Sequence, residues 1–341
     1  MNMKTKVLNH VKAFLIPVAL YLVMLILIPD RVGNLNSIIS MLTLAVVPTI
    51  TAYGVHFGFT SGIMDFSVGS RMVLSGMAGC IGGYYFGPIG MILAAVLMSL
   101  LLAAIIGGLF ARLKIPSFVI SLGSLMAFEV ASEYLCKNGA TIWPAFATLQ
   151  YFKAPESMLF LGKPPFNFIV LILIAVVFEL LNTRTKTANQ ARVIGSDELI
   201  ARNVGIKPMK VKFNTYILGS VFLAFAAVES ACYSSAVGYA SNMASMATVF
   251  KPMMSVIIGM SLGGLVRSSV GIFIGNLSLS VIFTGIIALG WPDSLQSVFL
   301  GIFLVAILAL PTIQLAIANH KRRSTAHKAH SDGASTAKLN V

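Results

Sequence analysis

The sequence predicts an all-α polytopic membrane protein with about ten transmembrane helices, some of them broken or re-entrant. Of its 341 residues, 57% are hydrophobic and 10% are charged, whereas soluble domains carry about 25% charged residues. Many of the apolar runs approach the roughly 20 residues that a helix needs to cross a bilayer. Lysines and arginines lie between these runs, which is typical of cytoplasmic loops. The net charge of +13 therefore does not indicate nucleic-acid binding.

The apolar runs predict the order of the elements. Residues 1–12 form a short basic N-terminus, and the first apolar run is kept as a span because no small-residue cleavage site follows it. The transmembrane domain is expected to cover 13–318, and the polar tail 319–341 is expected to be disordered. The ten predicted spans, of which the sixth and eighth are short, are 13–29, 36–55, 66–86, 89–110, 116–136, 166–181, 213–233, 249–266, 269–289 and 296–317.

The distribution of the 24 Lys and Arg residues predicts the topology. With the N-terminus inside, 19 of them lie on the inner side, which agrees with the positive-inside rule. Ten spans with both termini in the cytoplasm are therefore favoured. The five cations expected outside are Arg31, Lys137, Lys153, Lys163 and Lys251.

One polar segment, 182–212, separates two apolar runs and holds seven of the 24 Lys and Arg residues. Within it the sequence predicts a short helix with Ser196 as the N-cap. Asp197 and Glu198 follow at the end of the helix where the dipole favours negative charge. Glu198 and Arg202 are four residues apart, in the order that stabilises a helix.

The same helix is predicted to end at Gly205, which can adopt the left-handed conformation of a C′ residue. Pro208 prevents the helix from continuing. Leu199, Ile200 and Val204 give the helix one apolar side. A short amphipathic helix between two spans is suited to contact with a soluble partner. The alternative is a long cytoplasmic loop that is basic because such loops commonly are.

The run from Arg192 to Ile206 resembles the coupling loop of the ribose-type permeases of bacterial ABC importers. That family's pattern is roughly Ala-(Ile/Leu)-Gly-x-Asn-Glu-x-Ala-Ala-Arg-x-x-Gly-Ile, and Asp197 stands where Asn is frequent. The resemblance implies that this helix docks into a groove on the ATP-hydrolysing subunit. The residues expected to couple the chain to that subunit are Gly195, Ser196, Asp197, Glu198, Arg202 and Gly205.

Three further blocks are similar to the same family. The run 61–70 matches Gly-Ile-Asp-Leu-Ser-Val-Gly-Ser, with Met64 as an extra residue, and 115–124 matches Val-Pro-x-Phe-Ile-x-Thr-Leu-Gly. The run 256–275 aligns with a glycine-rich turn, although Ile258, Leu265 and Arg267 replace three of its glycines. The chain is therefore identified as a divergent member. In the seventh span, Cys232 stands where the family commonly carries Arg.

Four polar residues are candidates for the translocation pathway, because acids inside membranes are costly and tend to be functional. Asp65 and Ser67 stand at a span end, where they are expected to cap the following helix and not to contact a ligand. Glu129 lies one turn from Glu133, so the two like charges need water or a partner. For Glu229, a pathway position and a carboxylate that reaches interfacial water remain equally open.

The outer segment 137–165 is predicted to be an ordered loop on which a ligand-delivery protein could land. The cysteines Cys80, Cys136 and Cys232 are expected to be small core residues, since their spacing indicates neither a metal site nor a disulfide framework. No stretch resembles a nucleotide-binding loop, so ATP hydrolysis is expected from another chain. The chain itself is expected to be no enzyme and to hold no cofactor or metal.

The resemblance implies a permease subunit of an ABC importer in the bacterial cytoplasmic membrane. Its expected partners are the lipid bilayer, an ABC ATPase, an extracytoplasmic binding protein and a second permease, in a homodimer or heterodimer. A small sugar is the expected substrate, with nucleosides, autoinducer sugars and branched-chain amino acids as alternatives. Two other classes remain open, an ion-coupled secondary transporter and a membrane scaffold that does not transport.

Overall fold

The computed structural model describes residues 3–113, 115–292, 294–296, 298–302 and 305. Nearly all of the described elements are helices, which confirms the predicted all-α class. The helices are α1 Met3–Leu27, α2 Pro29–Val32, α3 Leu35–Thr60, α4 Val68–Leu113, α5 Ser117–Ile142, α6 Phe166–Arg184, α7 Lys186–Ser196, α8 Glu198–Asn203, α9 Pro208–Ser234, α10 Ala247–Ser261 and α11 Ser268–Ala288. The short strands β1 Tyr151–Lys153 and β2 Ala236–Gly238 pair antiparallel, and single 3₁₀ turns lie at Glu156–Met158 and Ala244–Met246.

Eight helices in the described part of the chain are long and apolar enough to cross a membrane. The third and fourth predicted spans both fall within α4, which has 46 residues. This helix is interrupted at Gly87, whose φ of 67° and ψ of −157° are not helical, and Pro88 follows. A Cβ on Gly82 would meet Gly90 and Ala94, so the two halves of α4 fold back on each other as a hairpin.

The first nine predicted spans therefore have counterparts in the structure. The tenth, 296–317, and the tail 319–341 lie largely or wholly outside the described residues. A first structural unit ends at Leu295, and a second begins at Gln296. The described residues of the second unit are helical. Two predicted boundaries shift: α1 is already helical from Met3, within the predicted basic N-terminus, and α5 continues to Ile142, within the predicted outer loop.

Helices α3 and α9 cross closely within the first unit. A Cβ on Gly219 would clash with the carbonyl oxygen of Gly54, so these two helices approach at backbone distance, as small residues permit in membrane proteins. Beside this crossing the buried rings of Tyr53, Phe178 and Phe222 pack together, joining α3, α6 and α9. A second buried apolar cluster lies between α4, α9 and the β1 segment and contains Met91, Phe152 and Cys232.

Candidate coupling site and buried acids

The polar segment folds as two short helices, α7 and α8, instead of the single helix predicted from the sequence. Its small apolar core contains Ala191, Ile194, Ala201 and Val211, with Ile206 packed against them. These residues belong to α7, α8 and the start of α9, so the segment is held on the end of the bundle by its own buried face.

Gly195 places α7 directly against the end of α3. A Cβ at this position would clash with the carbonyl oxygen of Thr60, the last residue of α3. Only glycine therefore permits this approach without a shift of the backbone. Gly195 is one of the residues that match the coupling-loop pattern, and the structure gives it a packing reason.

The predicted N-cap at Ser196 is wrong. Ser196 is the last residue of α7, and its hydroxyl donates to the carbonyl oxygen of Arg192 at 3.0 Å. Asp197 is the N-cap of α8, since its Oδ1 accepts from the backbone N–H groups of Leu199 at 2.7 Å and Ile200 at 3.0 Å. Ser and Asp are about equally good N-caps. Asp197 takes this position because α7 ends at the residue before it, Ser196.

The left-handed conformation predicted for Gly205 is confirmed, with a φ of 81°. The N–H of Gly205 donates to the carbonyl of Arg202 and that of Ile206 to the carbonyl of Ala201, both at 3.0 Å. These two bonds form a Schellman motif, and the contact between Ile206 and Ala201 supplies its apolar part. The end of α8 is therefore fixed by backbone geometry that glycine adopts without strain.

Glu198 connects α8 to α9. Its Oε1 accepts from Arg202 at 2.7 Å, as the four-residue spacing predicts, and its Oε2 accepts from Lys212 at 2.8 Å. The pKa of Glu198 is held below its ordinary value, mainly by the hydrogen bond from Lys212 and next by the hydrogen bond from Arg202. Because the carboxylate is about one-third exposed, these pairs contribute more to the orientation of α8 than to stability.

The apolar side of α8 faces outward. Leu199, Ile200 and Val204 are exposed to 72%, 57% and 65%. Their positions on a well-capped helix form a small ridge, here called the apolar ridge of α8. Clustered apolar side chains of this kind, rimmed by charge, are typical of a protein-binding surface.

Asp65 belongs to a buried ion pair with Arg71, six residues later on α4. Its other oxygen accepts from the backbone N–H of Ser67 at 2.9 Å and from the Ser67 hydroxyl at 2.6 Å. The Arg71 guanidinium lies 5.8 Å from the ring centre of Tyr216 on α9. The structure thus brings Asp65 and Ser67 together and adds Arg71 to the same site. From the sequence, Arg71 is predicted simply to be a cation on the inner side of the membrane.

Glu129 on α5 is buried and accepts three hydrogen bonds. The donors are the backbone N–H of Met243 at 2.8 Å, the N–H of Ser245 at 2.8 Å and the Ser245 hydroxyl at 2.5 Å. The carboxylate therefore holds the 3₁₀ turn that leads into α10. Glu133 pairs instead with Lys137 at 2.6 Å. Each of the two neighbouring acids therefore has a partner of its own, as expected for two like charges one helical turn apart.

Glu229 on α9 is 3% exposed and has no hydrogen bond or ion pair to another described residue. It differs in this from Asp65 and Glu129, whose oxygens are occupied by protein donors. Within the described residues, no group of three or more His, Cys, Asp or Glu side chains is placed to hold a metal ion. The four pathway candidates thus occupy three environments instead of one cluster, since Asp65 and Ser67 share one of them.

The apolar helices define a class, that of multi-pass membrane proteins. The chain belongs to the family described as the branched-chain amino acid transport system permease component, whose profile matches residues 37–308. It is thus the permease component of an ABC importer, a multi-pass inner-membrane protein and not itself an enzyme. Such components act with an ATP-hydrolysing subunit and a binding protein.

Several curated proteins are similar to the chain. The inner membrane ABC transporter permease protein YjfF of Escherichia coli K12 is 28% identical, over 76% of this chain and 79% of the relative. The autoinducer 2 import system permease protein LsrC of Enterobacter sp. 638 is 25% identical, over 94% and 92%. The galactofuranose transporter permease protein YtfT of Escherichia coli K12 is 26% identical, over 80% and 79%.

Proposed function

We propose that this permease translocates a small sugar, delivered by an extracytoplasmic binding protein, and that its ATPase subunit drives it through α7 and α8. The observation that carries the proposal is the apolar ridge of α8, presented outward by a helix that is capped at both ends. The substrate class rests on relatives whose names specify fructose, galactofuranose and autoinducer 2.

The contacts of the coupling segment support a mechanical role. Force applied to the apolar ridge of α8 reaches α9 through the Glu198–Lys212 ion pair and reaches α3 through the contact of Gly195 with Thr60. Because packed helices move as rigid bodies, a displacement of α7 and α8 shifts the ends of two spans together. Two such permeases, identical or different, would enclose the pathway between them and open it to alternate sides.

We assign the cytoplasmic side to the end of the bundle that carries α7 and α8, with both termini on that side. Support comes from the excess of Lys and Arg in the loops at this end. A reporter fused after Lys186 is expected to be cytoplasmic, and one near Lys153 external. Both reporters on the same side would contradict this orientation.

Among the polar candidates, we assign Glu229 to the pathway and give Asp65, Ser67 and Glu129 structural roles. The distinction rests on partners, because Asp65 and Glu129 already accept hydrogen bonds from the protein. Glu229→Gln is expected to lower transport and leave assembly with the ATPase intact. Normal uptake by this variant would contradict the pathway assignment and favour the alternative, a carboxylate that reaches interfacial water.

Uptake measurements test the function as a whole. Membrane vesicles that hold the permease, its ATPase and its binding protein are offered labelled monosaccharides, autoinducer 2, nucleosides and branched-chain amino acids, with and without ATP. The proposal expects sugar uptake that requires ATP. Uptake of amino acids alone would overturn the substrate class, and uptake driven by an ion gradient without ATP would favour a secondary transporter.

A further inference from the structure

A chain of polar side chains crosses the boundary between α7 and the membrane bundle, and it leads from the exposed Arg192 to buried groups. Arg192 on α7 donates through Nη2 to the carbonyl oxygen of Asn182 at 2.6 Å and to its Oδ1 at 2.8 Å. Asn182, on the last turn of α6, is 3% exposed. Arg192 also donates through Nη1 to Asn189 at 2.7 Å, but this contact stays within α7. The guanidinium thus ties α7 to the end of α6.

The chain continues to His56 on α3, which is 4% exposed. Its imidazole lies close enough to the Asn182 side chain and to Arg192 to interact with both electrostatically. Its Nδ1 is buried and has no hydrogen-bond partner among the described residues. A buried polar atom without a partner is destabilising. Packing alone therefore does not explain why a histidine occupies this position.

His56 also reaches the aromatic core. Its ring centre lies 5.2 Å from that of Phe178 on α6 and 5.9 Å from that of Phe57 on α3, both in edge-on contact. Phe178 stacks on Tyr53 at 4.4 Å, and the Tyr53 hydroxyl donates to the carbonyl of Ser269 at 3.0 Å. Ser269 lies in the first turn of α11, so the polar chain and the rings together connect α7 with α3, α6 and α11.

We propose that Arg192, Asn182 and His56 form a positioning link that makes α3 and α6 follow the movement of α7. The inference rests on the proposed function, because it adds a second route of force beside the Glu198–Lys212 pair. The two hydrogen bonds from Arg192 fix the position of α7 on α6. The edge-on contact of His56 with Phe178 joins α3 to the same helix α6. The three residues do not touch the substrate in this role; they position α3 and α6.

A simpler explanation covers part of the geometry. An arginine near the end of a helix satisfies its last carbonyl groups, and Arg192 does this for Asn182. That explanation requires neither the bond to Asn182 Oδ1 nor the contact with His56. Asn182→Ala separates the two accounts, because it removes the side-chain contacts and keeps the backbone carbonyl.

The experiment measures sugar taken up per ATP hydrolysed in vesicles that hold the complete importer. Asn182→Ala and His56→Phe are each expected to lower this ratio about fivefold or more, the lower end of usual coupling factors. Both should retain the ATPase subunit, and His56→Phe should unfold at the wild-type temperature or above, because it removes the unpaired Nδ1. In the double variant the sugar taken up per ATP hydrolysed should fall no further than in either single variant, because the effects of residues that act in one link are not additive.

Asn189→Ala is the matched control, since this residue contacts the same guanidinium within α7 and should behave as wild type. Wild-type ratios for His56→Phe and Asn182→Ala would overturn the link. If Asn182→Ala failed to assemble, the sugar taken up per ATP hydrolysed by the His56→Phe variant would by itself decide whether the link exists. Failure of the proposed function has a different signature, because the wild-type complex itself would then show no ATP-dependent uptake of sugar.

Discussion

Gly205→Val is expected to weaken the association with the ATPase subunit without unfolding the bundle. Gly205 has a φ of 81°, and a Cβ added there would meet no atom within 4 Å. The cost is therefore conformational and not steric, about 1–2 kcal/mol for an alanine and more for a β-branched residue. Such a strain lowers the equilibrium ratio of the native to the frayed end of α8 by a factor of about 5 to 30.

The apparent affinity for a partner falls with the population of the competent state. Titration of the purified permease with its ATPase subunit should therefore show Val weaker than Ala, and Ala weaker than Gly. Gly205→Asn should lie near the wild type, because Asn tolerates the left-handed region. The unfolding temperature of the whole protein should change little, since α8 has six residues at one end of the bundle.

Gly108→Ala in α4 is the matched control, because a Cβ there also meets no atom within 4 Å but the backbone is helical. It should bind the ATPase as the wild type does. Wild-type affinity and transport by Gly205→Val would refute the argument, and the segment would then be a linker whose conformation does not matter.

Three further predictions concern the caps and acids. Asp197→Ala should destabilise α8 by about 1 kcal/mol and raise its hydrogen exchange, whereas Ser196→Ala should not, and equal effects would contradict the corrected cap. Glu129→Gln should lower thermal stability by about 1.5–3 kcal/mol, the worth of one charged hydrogen bond, and Glu133→Gln, which affects an exposed pair, by under about 1 kcal/mol; the reverse order would contradict the assigned anchor. Because the pKa of Glu198 is lowered in the folded state, its stabilisation is complete above the ordinary value of 4.5 and is lost as the pH falls through the lowered pKa. Protection of α8 from exchange should thus be constant at neutral pH, and a loss near pH 7 would contradict the pairing with Lys212.

Hydropathy alone predicted most of the fold, because the bilayer demands long apolar helices and little else. The break between the third and fourth spans was visible as Gly87 followed by Pro88. The helix α7 was missed because its sequence is polar, and its buried face exists only through tertiary contacts such as that of Gly195 with Thr60.

The partners of the charged residues could be predicted only where spacing reveals them. Glu198 and Arg202 are four residues apart on one helix, whereas Glu198 and Lys212 belong to different helices and meet through the turn at Gly205. Arg71 and Arg192 likewise counted toward the inner positive charge, but their contacts depend on how the helices are arranged. Charge distribution predicts the side of the membrane, not the partner.

Cross-linking from the apolar ridge of α8 tests the central claim most directly. A photoreactive group is attached at Leu199→Cys, and the native cysteines should not compete because all three are buried. We expect a cross-link to the ATPase subunit in the assembled importer, and none from Leu149→Cys, which is exposed and belongs to the loop predicted to be external. An importer that takes up sugar with ATP but gives no cross-link from Leu199→Cys would contradict the assignment of α8 as the coupling helix.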